Sequence, residues 1–357
     1  NGRTMSGRPN PTITIDHRSC EFQIMSVLKQ MAFVLISFWA TLSFADGNYA
    51  DHPLARALVD ELVLEEGFER AYLQQLFAEA QRKDSILEAI SRPAEKTKAW
   101  YEYRQIFVTD KREQQGIEFY HKHRKTLERA QRELGVPAEI IVAIIGVETY
   151  YGRLTGNYRV IDSLATLAFD YPRRASFFSK ELKNFLILTR EQAMDPLMLK
   201  GSYAGAMGFG QFMPSSYRSY AIDFDGDGLI DIWNNPVDAI GSVANYFKRH
   251  GWRSDEPVVF EAIVGENSPG LSEPESWFNN GLKPVRSLED YAAASIISSN
   301  SPDPAALATA MKFELEEGYE YWLGMHNFYV ITRYNHSAMY AMCVYQLSQL
   351  LTPTGIE

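Results

Sequence analysis

Residues 140–147 read IIVAIIGV, an unbroken apolar run that is followed directly by the carboxylate of Glu148. On a helix, Glu148 falls on the same stripe as Ile141, Ile144 and Ile145, which lie seven, four and three residues before it. An ionised carboxylate in an apolar setting costs several kcal/mol unless it is paired or protonated. The run therefore predicts a helix whose apolar stripe ends in a carboxylate, and this carboxylate must be paired or protonated.

Two explanations of Glu148 fit this pattern. Gly152 and Gly156 follow closely and predict that the helix ends soon after Glu148, facing a cleft lined by loops. Burial raises the pKa of a carboxyl group, which is what a general acid needs to hold its proton near neutral pH. The alternative is a structural carboxylate paired with an arginine such as Arg153 or Arg174. The helical pattern alone does not separate the two.

Helical periodicity extends over most of the chain. Apolar residues recur three and four positions apart over residues 52–134, and further helices are predicted over residues 174–194 and 237–249. The tail SAMYAMCVYQLSQLL, residues 337–351, predicts an amphipathic helix that packs back on the earlier helices. The expected fold class is mainly α (α+β).

The β component of that class is predicted after Trp252. EPVVFEAIV alternates like a strand, a loop rich in Gly, Ser, Pro and Glu follows, and residues 318–335, GYEYWLGMHNFYVITRYN, predict a strand and hairpin. We expect a small β-containing domain over residues 253–328.

An N-terminal segment has the pattern of a secretory signal peptide. Lys29 is its short basic region, an apolar stretch covers residues 32–44, and SFA ending at Ala45 is a small-x-small cleavage site. We expect export with cleavage after Ala45, and we expect residues 1–24 to lie upstream of the true start. A single transmembrane anchor is the alternative, but the apolar stretch is shorter than the roughly 20 residues that span a bilayer.

Charge and cysteine content narrow the class of protein. The formal net charge is −10; removal of residues 1–45, with four basic and two acidic residues, leaves 31 basic and 43 acidic residues, a net charge of −12. This balance argues against a nucleic-acid partner, which requires a basic surface. Cys343 is then the one remaining cysteine, so no internal disulfide is expected, and its apolar helical setting predicts a packing role.

Residues 201–217, GSYAGAMGFGQFMPSSY, contain four glycines and predict a loop that approaches a ligand closely. The segment is not a phosphate loop, because no Lys-Ser/Thr pair follows its last glycine. Ser202 and Gln211 would offer hydrogen bonds into the same space. The chain also has 20 Tyr, 20 Phe and 6 Trp, and aromatic rings that line a groove suit a carbohydrate, although most such rings belong to the core.

Residues 223–238, DFDGDGLIDIWNNPVD, match the first half of an EF-hand-like calcium loop. Three alternating aspartates and a glycine occupy positions 1, 3, 5 and 6, but position 12 is an asparagine where a glutamate is expected. A carboxylate comes later, which predicts a longer loop closed from there. The predicted ligands are Asp223, Asp225, Asp227, the backbone carbonyl of Leu229, and Asp238.

Six motifs, taken in order, closely resemble the membrane-bound lytic murein transglycosylase B family, glycoside hydrolase family 103. They are GVETYYG, LATLAFDYPRR, DPLMLKGSYAGAMGFGQFMPSSY, the DFDGDG loop, DAIGSVANYFKRHGW and ITRYNHSAMYAM, and the resemblance covers residues 52–350. It implies a lysozyme-like core over residues 135–252, a helical domain over residues 46–134 that residues 329–357 complete, and the small β-containing domain.

The resemblance also implies a reaction and a set of site residues. The family cleaves the β-1,4 bond between N-acetylmuramic acid and N-acetylglucosamine in peptidoglycan and leaves a 1,6-anhydromuramoyl end. It implies that Glu148 is catalytic, that calcium is structural, and that no organic cofactor is needed. The implied substrate-binding residues are Ser202, Gln211, Tyr246, Tyr334, Tyr340 and Tyr103.

One carboxylate suffices for this reaction if the sugar's own C6 hydroxyl is the nucleophile, and we expect Asp162 and Asp170 to cap or pair locally instead. Two alternatives stay open: a hydrolytic muramidase, and a non-catalytic scaffold that binds peptidoglycan. The implied partner is the glycan strand, while partner proteins of cell-wall synthesis or remodelling are left open. No cysteine follows the apolar stretch as a lipobox would require, so we expect a soluble periplasmic form and not a lipid-anchored one.

Overall fold

The computed structural model describes residues 48–92, 98–300 and 303–351. The predicted signal peptide and its cleavage site lie outside these residues. Within them, no helix combines the length and the apolar character that crossing a membrane requires.

In the described part of the chain, ten α-helices precede the five-stranded sheet, in agreement with the helical periodicity of that part of the sequence. The longest has 25 residues and a kink at His123, whose backbone is non-helical. A two-stranded antiparallel ladder, β1 (Tyr158–Arg159) with β2 (Lys200–Gly201), pairs the start of the seventh helix with the glycine-rich segment. The helices are α1 (Pro53–Glu66), α2 (Arg70–Glu79), α3 (Asp84–Ser91), α4 (Trp100–Phe107), α5 (Asp110–Leu134), α6 (Ala138–Thr149), α7 (Val160–Asp170), α8 (Ala175–Glu191), α9 (Pro214–Tyr220) and α10 (Pro236–Arg249).

Helix α6 is the centre of this arrangement. Every one of its residues is buried except Glu139 and Glu148. A helix that is apolar on all sides has to be enclosed by other elements, and α6 packs against α5, α10 and the last helix of the chain. The apolar run identified in the sequence thus forms the middle of the main hydrophobic core.

The β component is an antiparallel sheet with strand order β4-β6-β7-β3-β5. Strands β6 and β7 form a hairpin in which Met311 lies opposite Trp322, and a second, smaller hydrophobic cluster lies on this sheet. Short helices α11 (Pro269–Ser272), α12 (Pro274–Trp277) and α13 (Leu288–Ala293) connect its strands. The strands are β3 (Val259–Val264), β4 (Arg286–Ser287), β5 (Ile296–Ser298), β6 (Leu307–Glu314) and β7 (Tyr319–Gly324).

The hairpin predicted over residues 318–335 is wrong in its second half. Only β7 is a strand, its hairpin partner is the preceding β6, and His326–Tyr334 forms helix α14. Phe328 and Ile331 are three residues apart, lie on one face of the helix, and are fully buried. Burial of this face outweighs the β propensity of the aromatic and β-branched residues, which depends strongly on context.

The tail forms helix α15 (Ala338–Leu350), as predicted, and packs against α4, α6 and α14. Cys343 is fully buried on it. Burial raises the pKa of the Cys343 thiol to about 12, so the thiol stays protonated and acts as a small apolar group.

Candidate active site

Glu148 lies in the last turn of α6 and is partly exposed, whereas the residues on both sides of it are buried. The Tyr340 hydroxyl, from the first turn of α15, donates a hydrogen bond of 2.5 Å to Oε1 of Glu148. Tyr340 is only 3% exposed. Burial, reinforced by the nearby Glu148 charge, holds the pKa of Tyr340 well above its usual value, so the hydroxyl keeps its proton and remains a donor.

The chain leaves α6 through an unusual turn. Tyr150, Tyr151 and Gly152 have φ values of 55°, 63° and 82°, three consecutive residues in the left-handed region. Such a conformation costs of the order of 1–3 kcal/mol for each non-glycine residue and persists only where surrounding contacts impose it. At Gly152 the requirement is also steric, because a Cβ would lie 2.4 Å from the Phe209 ring.

Arg112 supplies contacts that impose this turn. Its Nε donates to the Gly146 carbonyl at 3.1 Å and its Nη1 to the Ile106 carbonyl at 2.6 Å. The guanidinium lies 4.5 Å from the centre of the Tyr150 ring, and the Tyr151 hydroxyl donates to the Arg112 carbonyl at 2.7 Å. A buried cation at the C-terminal end of a helix also interacts favourably with the helix dipole.

The sequence analysis did not identify Arg112. The residue belongs to the charged stretch DKREQQG at the start of α5, and its contact with Gly146 joins positions 34 residues apart. No local pattern carries that information. A charged residue on the buried face of a helix was the one available signal.

The glycine-rich segment lies against the end of α6. Oγ1 of Thr149 is 2.8 Å from the Phe209 carbonyl oxygen. The segment uses its own polar side chains to keep its shape: Oγ of Ser202 accepts from the Ala206 N–H at 3.0 Å. Gln211, at φ 51°, donates to the Thr155 carbonyl at 3.2 Å and to a carbonyl of its own segment. Ser202 and Gln211 thus both shape the loop beside Glu148.

The predicted cleft tyrosines form a connected group around this loop. The Tyr334 hydroxyl donates to the Gly210 carbonyl at 2.5 Å, and the Tyr246 hydroxyl donates to the Arg333 carbonyl at 2.5 Å. The rings of Tyr246 and Tyr334 meet edge to face with centres 4.7 Å apart.

Tyr334 and Tyr103 also lie close to the pair formed by Glu148 and Tyr340. Burial, followed by the Glu148 charge, raises the pKa of Tyr334. Tyr103 is buried on α4, which packs against the helix that carries Tyr340. Tyr340 therefore contacts Glu148 directly, and Tyr103, Tyr334 and Tyr246 lie in the elements packed around this contact.

The other carboxylates considered in this part of the sequence have structural partners. Asp162 pairs with Arg159 at 2.8 Å and accepts from the Gln81 N–H at 2.9 Å. Asp170 accepts from the Tyr49 hydroxyl at 2.6 Å. The guanidinium of Arg174, one candidate partner for Glu148, lies 4.3 Å from the centre of the Phe177 ring.

The acidic loop forms a compact carboxylate cluster. Oxygens of Asp223, Asp225 and Asp227 all lie within 4.8 Å of one another, a donor set that suits calcium. Asp223 accepts from the N–H groups of Gly228 and Gly226, and these bonds, the first above all, lower its pKa. Leu229, which follows the cluster, is 52% exposed.

Asp238, the last of the predicted ligands, lies outside this group of three carboxylates. It is fully buried on α10, where its two carboxylate oxygens accept from the Phe224 N–H at 2.7 Å and the Asp231 N–H at 2.8 Å. Burial raises its pKa, although these two hydrogen bonds act in the opposite direction. The carboxylate thus links the loop to α10 at two points, Phe224 and Asp231.

Comparison with known proteins gives consistent results. A family profile described as Transglycosylase SLT domain matches residues 50–349. The chain is 46% identical over 320 residues to the membrane-bound lytic murein transglycosylase B of Escherichia coli, covering 87% of this chain and 86% of that protein. The structure of the soluble lytic transglycosylase SltB1 from Pseudomonas aeruginosa superposes with a TM-score of 0.79 at 55% identity, covering 84% of this chain and 98% of that one.

Two further solved structures contain bound molecules. Escherichia coli SLT35 in complex with calcium has a TM-score of 0.78 and 46% identity, and covers 86% of this chain and 95% of its own. Pseudomonas aeruginosa SltB3 in complex with NAG-NAM-pentapeptide has a TM-score of 0.74 and 30% identity, with 84% and 79% covered.

These likenesses confirm the predicted fold class, a mainly α protein with a lysozyme-like core and a small β-containing part. They also extend along nearly the whole described chain. The chain belongs to the family of lytic transglycosylases that carry the SLT domain.

Proposed function

We propose that this protein is a peptidoglycan lytic transglycosylase that cleaves the β-1,4 bond between N-acetylmuramic acid and N-acetylglucosamine and leaves 1,6-anhydromuramoyl ends. The observation that carries the proposal is the setting of Glu148. It is a partly exposed carboxylate at the end of a buried helix, and the buried hydroxyl of Tyr340 holds one of its oxygens. Family membership supports the same activity.

Glu148 acts in two steps in this proposal. As the acid it transfers its proton to the glycosidic oxygen, so that the bond from that oxygen to C1 breaks and the alcohol leaves. The positive charge at C1 is stabilised by the substrate's own N-acetyl group. As the carboxylate, Glu148 then takes the proton of the C6 hydroxyl while the C6 oxygen bonds to C1. The residue ends protonated, and no water is consumed.

The environment of the other carboxylates supports a single-residue mechanism. Most glycosidases that hydrolyse their substrate use a second Asp or Glu as base or nucleophile. Asp162 and Asp170 are held by Arg159 and Tyr49 and serve local structure. An internal nucleophile removes the need for a second carboxylate.

Product analysis separates this proposal from its alternatives. Digestion of purified sacculi followed by mass spectrometry should show anhydro ends, whereas a hydrolytic muramidase would release products heavier by one water. A non-catalytic scaffold would bind sacculi and release nothing. Products with hydrated reducing ends would replace the proposal with hydrolysis.

We propose that Asp223, Asp225 and Asp227, with the Leu229 carbonyl, hold a calcium ion. The carboxylate cluster and the calcium complex of SLT35 support this assignment. Bound calcium would neutralise three clustered negative charges and tie the loop together, which is a structural contribution. The Asp238 carboxylate supports the loop by accepting from the N–H groups of Phe224 and Asp231, and it is not assigned as a ligand.

We also propose a division of the chain and a location for it. Residues 46–134 with 329–357 form the helical part, residues 135–252 the catalytic core, and residues 253–328 the β-containing part. Glycan strands are the proposed partner, since SltB3 is solved with a NAG-NAM-pentapeptide. The substrate places the protein in the periplasm. The Escherichia coli relative is named as membrane-bound, which weakens the expectation that a lipid anchor is absent.

A further inference from the structure

A cavity of about 490 Å³ lies where the first helices meet the sheet. Its walls come from the start of α4, from β6, from the loop before β4, and from the residues that lead into α15. The walls include Lys98, Trp100, Asn279, Lys312, His336 and Met339.

The walls of this cavity are held firmly. Trp100 is buried, its Nε1 donates to Oε1 of Glu320 at 2.5 Å, and its ring lies 4.9 Å from that of Phe313. The side chain of Asn279 bonds to both backbone groups of Lys312, donating to the carbonyl at 3.0 Å and accepting from the N–H at 3.2 Å. These contacts give the cavity a defined shape where α4 meets the sheet.

Two helices lead from the cavity to the candidate active site. Trp100 lies three residues before Tyr103 on α4, and Met339 lies directly before Tyr340 on α15. Three residues of helix advance by about 4.5 Å. The cavity is therefore about one helical turn from two of the tyrosines that surround Glu148.

The charges of the cavity are mostly positive. Lys98 and Lys312 both line it, and within the described part of the chain neither has a carboxylate within 4.0 Å. The Lys312 ammonium lies 3.7 Å from the centre of the Tyr319 ring. His336 adds a third basic group, while Glu314 is the one acidic group in the wall. Trp100 and Met339 add apolar side chains to the lining.

We infer that this cavity binds the peptide stem of the glycan strand, with Lys98 and Lys312 facing its carboxylates. The inference rests on the proposed function, because it takes the glycan at Glu148 as given. A peptide with free carboxylates and short apolar side chains matches a cavity lined by both basic and apolar side chains. A five-residue stem extends up to about 17 Å, which is enough to reach from a sugar at Glu148 across one helical turn.

The test compares strands that carry peptides with strands from which an amidase has removed them. Lys98→Glu and Lys312→Glu should each raise KM for peptide-bearing strands about two- to fivefold, the size of one solvent-exposed ion pair. KM for stripped strands should not change. Lys98→Gln should give a smaller rise, since it removes a charge without reversing it. Lys125→Glu, the same change at an exposed position on α5, is the matched control and should behave as wild type on both substrates.

Binding gives a second measurement that does not depend on turnover. The free pentapeptide should bind the Glu148→Gln protein, and Lys312→Glu in that background should weaken the binding. Equal effects of the lysine variants on both substrates, or no effect on either, would overturn the inference while leaving the proposed function intact. Wild-type protein that cleaves neither substrate would instead overturn the proposed function, and the inference with it.

Discussion

The Tyr340 hydroxyl lies 2.5 Å from Oε1 of Glu148 and joins two residues that are 192 positions apart in the chain. One is at the end of the central helix, and the other begins the last helix. The bond fixes the orientation of the carboxyl group, because the tyrosine is buried and cannot easily change its position. Helix α15 therefore contributes directly to the candidate active site at the end of α6.

Replacing Tyr340 with phenylalanine should lower kcat by about 10- to 100-fold, the size of a lost hydrogen bond to a charged group. KM should change little, since the hydroxyl is buried against Glu148. Steady-state kinetics on solubilised strands measures both constants. Tyr345→Phe, on the same helix, is the control. A Tyr340→Phe enzyme with wild-type kcat would show that Glu148 does not need this partner.

Replacing Arg112 with methionine should reduce the free energy of unfolding by about 1–3 kcal/mol, because the Gly146 and Ile106 carbonyls lose the hydrogen bonds that the guanidinium donates. The left-handed turn after α6 should loosen as well, so activity should fall along with stability. Urea denaturation gives the first effect and a kinetic assay at low temperature the second. Lys125→Met is an exposed control on the same helix. If the Arg112→Met protein is destabilised but keeps its activity, the left-handed turn does not contribute to the active site.

Removal of calcium should lower the melting temperature by several degrees, and Asp223→Asn or Asp225→Asn should abolish the response to added calcium. Asp238→Asn should behave differently. It should lower the melting temperature with and without calcium, since it weakens hydrogen bonds to Phe224 and Asp231 that need no metal. Differential scanning calorimetry in EDTA and in calcium distinguishes these patterns. An Asp238→Asn protein that differs from wild type only in calcium would restore Asp238 as a ligand.

Stability should decline in mild acid partly through His250. Burial lowers the pKa of His250 in the folded protein, with its bond to the Tyr246 carbonyl opposing and the nearby Arg333 charge reinforcing the shift. The ring stacks on that of Tyr246 with centres 3.9 Å apart. Because the unfolded chain binds the proton more readily, stability is lost as pH falls from above the ordinary value near 6.5 toward the folded pKa.

His250→Gln should therefore lose less stability than wild type between pH 7.5 and pH 5.5. Urea denaturation at the two pH values provides the comparison, and His121→Gln at an exposed position is the control. Identical pH dependence in wild type and His250→Gln would assign the acid sensitivity to other groups.

The features predictable from sequence were those with a local period or spacing. The apolar stripe gave α6 and the unusual position of Glu148, and alternating aspartates gave the carboxylate cluster. Burial against distant elements was not predictable. It turned residues 326–334 into a helix, and it placed Arg112 on the Gly146 carbonyl.

Asp238 shows the same limit of local patterns. Its spacing after the cluster predicts a ligand, but the spacing does not show that Asp238 is buried on α10 and accepts from two N–H groups of the loop. That role depends on how the loop packs on the helix.

Proton transfer by Glu148, in a cleavage that uses no water, can be tested directly by mass spectrometry of digested sacculi. Wild-type protein and Glu148→Gln are compared at equal concentration. We expect 1,6-anhydromuramoyl ends from wild type and a rate at least about 100-fold lower from Glu148→Gln. Hydrated reducing ends from wild type, or anhydro products released by Glu148→Gln at the wild-type rate, would contradict it.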